Sequence, residues 1–320
     1  MKRSSCVVVS LSGGLGNQLF QFAAGLQIAR NSNRELMFEV EYGNPRLNSS
    51  NLPALFSLLQ EDFHIFKFRY KSRLLRSIIN RTMLFSLKGS NTIWHSRIKK
   101  GSQMLCSFLI NLQVLGKMKF DFFTASDLGF EKIPLSQNSI FLKGYFQSYR
   151  YLDEPSIANY MMKLKPNSQS MALDQHSKIA HNQKILMVHV RLGDYLQEAN
   201  FGIPSAHYYS NAIAESLSLG SFDKVWVVSD QPNLAQELLK VLGEENIQFI
   251  NQDGMLDEHV WQLLRQGAGY VIGNSSFAWW AAILSVNVEK IVICPSPWFK
   301  GIKEPNDLVP PSWRRKHAHF

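Results

Sequence analysis

Residues 184–195, KILMVHVRLGDY, carry the side chains best suited to chemistry. Six of the seven residues from Ile185 to Arg191 are apolar or His, a pattern poor for an amphipathic helix and good for a buried strand; the run breaks at Arg191, Gly193 and Asp194. An Arg at the carboxyl end of a parallel strand stands where open α/β sheets collect ligands. Its planar guanidinium can grip phosphate through two parallel charge-assisted hydrogen bonds, and an Asp three residues on can orient it or handle a proton. The competing reading is a buried strand ending in a surface Arg–Asp pair, and the rest of the chain decides between them.

Two further stretches offer matching chemistry. In GNSSF, Asn274, Ser275, Ser276 and Phe277 end one strand and open a helix, whose free amides make an anion site unless a serine merely caps it. Near the amino terminus, LSGGLGN places Gly14, Gly16, Asn17 and Gln18 between a strand and a helix, where phosphate can approach backbone amides closely. A nicotinamide-dinucleotide fingerprint competes for that loop, because Gly14 and Gly16 give GxG and Glu39 follows about twenty residues on; Leu19 stands at the third glycine position and argues against it. Asp230, after the strand-like KVWVVS, is placed to bind a ribose diol or the edge of a base. The aromatic cluster GYFQSYRYL suggests a sugar-stacking surface or a packed domain junction. No DxD, HExxH or GxxxxGK[ST] occurs, so the sequence shows neither a metal-dependent acidic pair nor a P-loop.

The elements that position these groups fall into two halves. Residues 6–10 read as a strand, about 18–31 as a helix and 35–40 as a second strand, a βαβ start. Residues 43–140 are hard to parse, and the polar stretch 166–183 reads as a linker. Beyond it, strands at 184–190, 224–229, 247–250, 270–273 and 290–294 alternate with four helices, which implies a parallel, doubly wound sheet.

Composition adds constraints. With 320 residues, 45% apolar and 18% charged, the chain is globular and long enough for two domains, and no stretch suits a membrane span. Cys6, Cys106 and Cys294 are an odd, scattered set, which fits a reducing compartment better than a disulfide framework. The net charge of +9 resides in residues 63–120, which hold 12 Lys or Arg and no Asp or Glu. With Leu74, Leu75, Ile78 and Ile79 at helical spacing among arginines, this segment reads as a surface for anionic lipid or an anionic acceptor, as a nucleic-acid patch, or as a solvated helical face.

Seven ordered motifs, SGGLGNQLFQFAAG (12–25), GYFQSYRYL (144–152), HVRLGDY (189–195), VVSDQ (227–231), GNSSFAWWAAIL (273–284), PSPWF near 295 and PSW (311–313), resemble the α1,2-fucosyltransferases of glycosyltransferase family 11. The resemblance implies an α/β fold of glycosyltransferase B type: two Rossmann-like domains facing a cleft and working without a metal. The expected division is an acceptor-side domain over 1–165 with a basic insertion at 63–120, a GDP-sugar-binding domain over 184–300 and a tail over 301–320. It implies transfer of L-fucose, with inversion, from GDP-β-L-fucose to the 2-hydroxyl of a terminal galactose on a glycan acceptor, without cofactor. On this reading Arg191, His189 and Asp194 are catalytic. Gly14, Gly16, Asn17, Gln18, Asp230, Asn274, Ser275, Ser276 and Phe277 bind the donor. Tyr145, Gln147 and Glu198 meet the acceptor. The expected location is the cytoplasm, with 63–120 touching an anionic inner membrane face and no nucleic-acid partner. The chain departs from the family pattern at Leu192, where a second arginine is usual, at Gln231, where a second acid is usual, and at Val260, near another expected acid.

Overall fold

The computed structural model describes residues 5–40, 45–48, 50–67, 119–125, 128–240 and 247–320, together with 101, 104, 105, 107, 108 and 111. The basic helical spacing expected around Leu74 to Ile79, and most of the 63–120 segment, lies outside the described residues. The chain divides into two compact units, one of Met1–Lys163 with Pro305–Leu308 and the other of Leu164–Glu304 with Val309–Phe320.

In the first unit, the β-branched run Cys6–Ser10 forms β1, buried along its whole length. It leads through the glycine-rich loop into helix α1 (Leu15–Asn31), and Glu35–Glu39 returns as β2. His64–Ile65 (β3), Phe120–Thr124 (β4) and Ser139–Lys143 (β5) complete a sheet of order β3-β2-β1-β5-β4 with every pairing parallel. The order reverses between β1 and β5, so the loops after those two strands flank the point where a Rossmann-type sheet opens. Pro at the first turn starts helix α2 (Pro155–Met162).

The second unit begins with helix α3 (Met171–Asn182), capped by Ser170 accepting from the Leu173 amide. The stretch 166–183 was expected to be a linker. Its sparse apolar positions, Leu173 and Ala180, suffice to bury one narrow stripe, and the Ser177 hydroxyl accepts from Gln266 Nε2. Then follow β6 (Ile185–Val190), helix α4 (Ala206–Leu219), β7 (Lys224–Ser229), helix α5 (Pro232–Leu239), β8 (Ile247–Phe249), helix α6 (Asp257–Leu264), β9 (Gly269–Ile272), helix α7 (Ser276–Ile283) and β10 (Ile291–Ser296). The five expected strands and four expected helices are all present.

A sixth strand, β11 (Arg314–His317), corrects the expectation of a tail over 301–320. It pairs in parallel with β10, with Ser296 opposite His317. The sheet order β11-β10-β9-β6-β7-β8 is that of a doubly wound Rossmann domain, with its switch between β6 and β9. Leu186, Val188 and Val190 on one face of β6 pack with Tyr208, Tyr209 and Ala212 of α4, so the alternate residues Met187 and His189 face the opposite layer. Among the described residues no helix is long and apolar enough to cross a membrane.

Candidate active site

The site of the second unit grows from the ends of three strands. In the β6–β7 register Val190 lies opposite Ser229, so the next residues, Arg191 and Asp230, leave the sheet side by side. Asp230 Oδ1 accepts from the Leu192 amide at 2.9 Å, and its Oδ2 lies 3.0 Å from Arg191 Nη1. On its other edge, the guanidinium donates Nε–H and Nη2–H to a single oxygen, Asp194 Oδ1, at 3.0 and 2.7 Å. Gly193 lets the loop close this way, since a Cβ there would sit 2.3 Å from Asp230 Oδ2. The sequence suits Asp230 to a ribose diol or the edge of a base; in the structure both of its oxygens hold the Arg191 loop.

The ends of β6 and β9 meet directly. The Gly273 amide donates to the His189 carbonyl at 3.0 Å, and Tyr195 Oη donates to the Asn274 carbonyl at 3.0 Å. The hydroxyls of Tyr208 and Tyr209 donate to the carbonyls of Ile272 and His189, and burial raises both phenols well above their ordinary pKa. The Asn274 side chain donates to the carbonyls of Phe201 and Gly202, which pins the long loop after β6, while its buried Oδ1 has no partner. Ser275 is the N-cap residue of α7, but its side chain makes no capping bond, so the first-turn amides at Ser276 and Phe277 stay available to an anion.

His189 is buried against the Phe277 ring, with centroids 5.9 Å apart, and its Nδ1 has no partner. Burial first, and the charge of Arg191 second, pull its pKa down to about 3, so the ring is neutral in ordinary buffers. Tyr195, to which the sequence alone gives no role, sets its ring centroid 5.8 Å from the Arg191 guanidinium carbon. Burial raises its phenol pKa and keeps it a neutral donor to the Asn274 carbonyl. Glu198 lies exposed in the loop beyond, its amide donating to the Tyr195 carbonyl at 3.3 Å.

In the first unit, α1 begins at Leu15 and not at 18, with Gly14 as its uncapped N-cap residue. Gly16, Asn17 and Gln18 therefore form its first turn. Gly13 adopts φ +70°, and a Cβ at Gly14 would meet open space, so the backbone is approachable at Gly14, while Leu15 and Gly16 behind it are buried. Asn17 Oδ1 accepts from Gln147 Nε2 at 3.0 Å, joining two expected site residues, and Gln147 Oε1 is buried without a partner. Gln18 is placed otherwise than expected. It is fully buried; its Nε2 donates to the carbonyls of Gly13 and Arg46, and its Oε1 accepts from the Leu55 amide, so its side chain splints loops and does not face a ligand. Gln21 does similar work between Ser12 and the Gly144 carbonyl. Tyr145 is 41% exposed beside this cluster, while Phe146 is buried at φ 54°.

Two parallel-sheet Rossmann-like domains, with anion-receptive groups at the switch point of each sheet, define a glycosyltransferase fold of the B type. The chain belongs to glycosyl transferase family 11, whose family model matches residues 6–313, and it is a glycosyltransferase. It is 24% identical to an α-1,2-colitosyltransferase of Escherichia coli over 97% of this chain and 99% of that one. It is 25% identical to the O-antigen biosynthesis glycosyltransferase WbnK of Escherichia coli over 95% of this chain and 98% of that one. Among solved structures it is similar to the fucosyltransferase NodZ from Bradyrhizobium, at 13% identity and a TM-score of 0.46, covering 88% of this chain and 94% of that one. Among the described residues no group of three or more His, Cys, Asp or Glu is disposed to hold a metal ion.

Proposed function

We propose that the chain transfers L-fucose from GDP-β-L-fucose to the 2-hydroxyl of a terminal galactose, with inversion. The observation that carries this reading is Arg191 at the switch point of the second sheet, where β6 lies beside β9, its guanidinium held between Asp194 of its own loop and Asp230 of the loop after β7. Breaking the bond between the fucosyl C1 and the β-phosphate leaves its electron pair on GDP. Fixed donors aimed at that phosphate lower the barrier, because the charge they meet grows in the transition state. Arg191 supplies this charge and the amides of Ser276 and Phe277 add to it. The uncapped helix start at Gly14 to Asn17 is the corresponding anion site of the first unit. His189, neutral, contributes only hydrogen bonding.

The acceptor oxygen bonds to C1 as its proton passes to a carboxylate. Asp194 and Glu198 are the two acids that follow β6 most closely; Asp194 is engaged with Arg191, and Glu198 is exposed. A pH–rate profile separates them, because loss of the true base removes the acidic limb in either Asp194→Asn or Glu198→Gln.

A second donor is favoured by one finding. The colitosyltransferase relative spans nearly the whole chain, and colitose is fucose without its 3-hydroxyl. The deciding experiment offers GDP-fucose, GDP-colitose and GDP-mannose to a panel of galactosides in EDTA, with product linkage read by NMR. An α1,2-fucosyl product supports the reading, a colitosyl product alone replaces the donor, and no product from any pair removes it. Arg191→Ala is expected to lower turnover by roughly 10²- to 10³-fold while the protein stays folded. Full activity in that variant would take Arg191 out of the mechanism. The basic segment 63–120 is proposed to hold the enzyme against anionic lipid; cosedimentation with anionic vesicles that weakens as salt rises is the expected result.

A further inference from the structure

Resting on the assignment of Arg191 to the donor diphosphate, we propose that the two carboxylates holding it do different work. Asp230 is the permanent positioning residue, and Asp194 is a displaceable stand-in that occupies the guanidinium edge until a diphosphate takes it.

The geometry separates the two acids. Asp230 uses both oxygens inside the fold, one on the Leu192 amide and one on Arg191 Nη1, and its side chain is only 24% exposed. The loop is shaped around it, since Gly193 must lack a Cβ for the carboxylate to approach. Asp194 has a side chain that is 58% exposed and meets both Nε–H and Nη2–H with the same oxygen. That edge of a guanidinium is built for two parallel bonds to two oxygens, which a diphosphate offers and this aspartate does not use. An exposed pair of this kind contributes little by itself, so exchanging it is easy. Charge gives the same order: two carboxylates around one guanidinium leave a net negative site, and an anionic donor gains if the outer one turns away.

The test combines GDP affinity by calorimetry with kcat and KM for transfer, all on the full chain in EDTA. Asp194→Ala should bind GDP about two- to tenfold more tightly than the parent, because a competitor for the guanidinium edge is gone. Asp230→Asn, which keeps an acceptor for the Leu192 amide but loses the charge, should lower kcat about 10²-fold with GDP affinity unchanged or tighter. A merely structural role would weaken both quantities together. Gly193→Ala should reproduce the kcat loss by pushing the intact Asp230 carboxylate away. Weaker GDP binding in Asp194→Ala, or kcat within about twofold of the parent in Asp230→Asn, overturns the division of labour. Arg191→Ala is the control: if it leaves GDP binding and turnover untouched, the underlying assignment fails, whereas failure of the aspartate variants alone sinks only this inference.

Discussion

His189 shows how much of the site's chemistry is set by burial. Its folded pKa is about 3 against an ordinary value near 6.5, so the folded protein refuses a proton that the unfolded chain accepts. The stability this contributes is fully present above pH 6.5 and is lost as pH falls toward 3, at about 1.4 kcal/mol per pH unit. His189→Gln should therefore flatten the fall of Tm between pH 6.5 and 4.5 relative to the parent, measured by thermal scanning in matched buffers. Equal slopes would mean that the imidazole takes its proton without strain. The sequence exposes His189 and Arg191 because strand parity and the break at Gly193 mark them within one run of residues. The partnership of Arg191 with Asp230 is not visible in that way, since it depends on Val190 lying opposite Ser229. Both residues directly follow a buried parallel strand, and that shared position is the signal a sequence reading can use. Gln18 misleads for the opposite reason: a polar residue at a helix mouth looks free for a ligand, while the structure spends its amide on three backbone groups.

At the scale of elements, strands buried on both faces announce themselves as unbroken apolar runs, which is why those of the second unit are legible and their order follows from right-handed crossovers. β11 is hidden because RRKH has no apolar residue. Its backbone completes the sheet edge through β10 while its charges meet solvent or acids, as Arg315 does with Glu304 and Lys316 with Glu215. Between residues 43 and 140 short strands such as β3 are stabilised by distant partners, so no local period identifies them. Close packing of α1 on the first sheet gives a prediction at this scale. A Cβ at Gly25 would lie 2.4 Å from Val9 Cγ2 and 3.1 Å from Leu36 Cδ1. Alanine improves helix propensity by about 1 kcal/mol, but overpacking a closed core costs about 1–3 kcal/mol. Gly25→Ala should thus destabilise the fold by about 1 kcal/mol net, read as a lower urea midpoint. A raised midpoint would show that α1 can move off β1 at little cost.

At the scale of the molecule, the chain returns from the second unit to the first for Pro305–Leu308 and then goes back to supply β11. Asp307 anchors the return: its Oδ2 accepts from the Phe130 amide at 3.0 Å and from Ser148 Oγ at 2.9 Å, and its carbonyl accepts from the Tyr149 amide. Gly129 makes room for it, since a Cβ there would lie 2.6 Å from Asp307 Oδ1. These bonds reach the stretch after β5 that also carries Tyr145 and Gln147, so a residue near the carboxyl terminus shapes the aromatic cluster of the first unit. Removing the carboxylate leaves two partly buried donors without an acceptor, a loss of about 1–3 kcal/mol. Asp307→Ala should therefore lower the stability of the first unit by that amount, and Asp307→Asn by less, because one amide oxygen still accepts. Calorimetric unfolding together with hydrogen exchange at Phe130 and Tyr149 reads the effect, and exchange in β6 and β9 should stay as in the parent. Unchanged protection at Phe130 in the alanine variant would show that the returning segment lies on the first unit without supporting it.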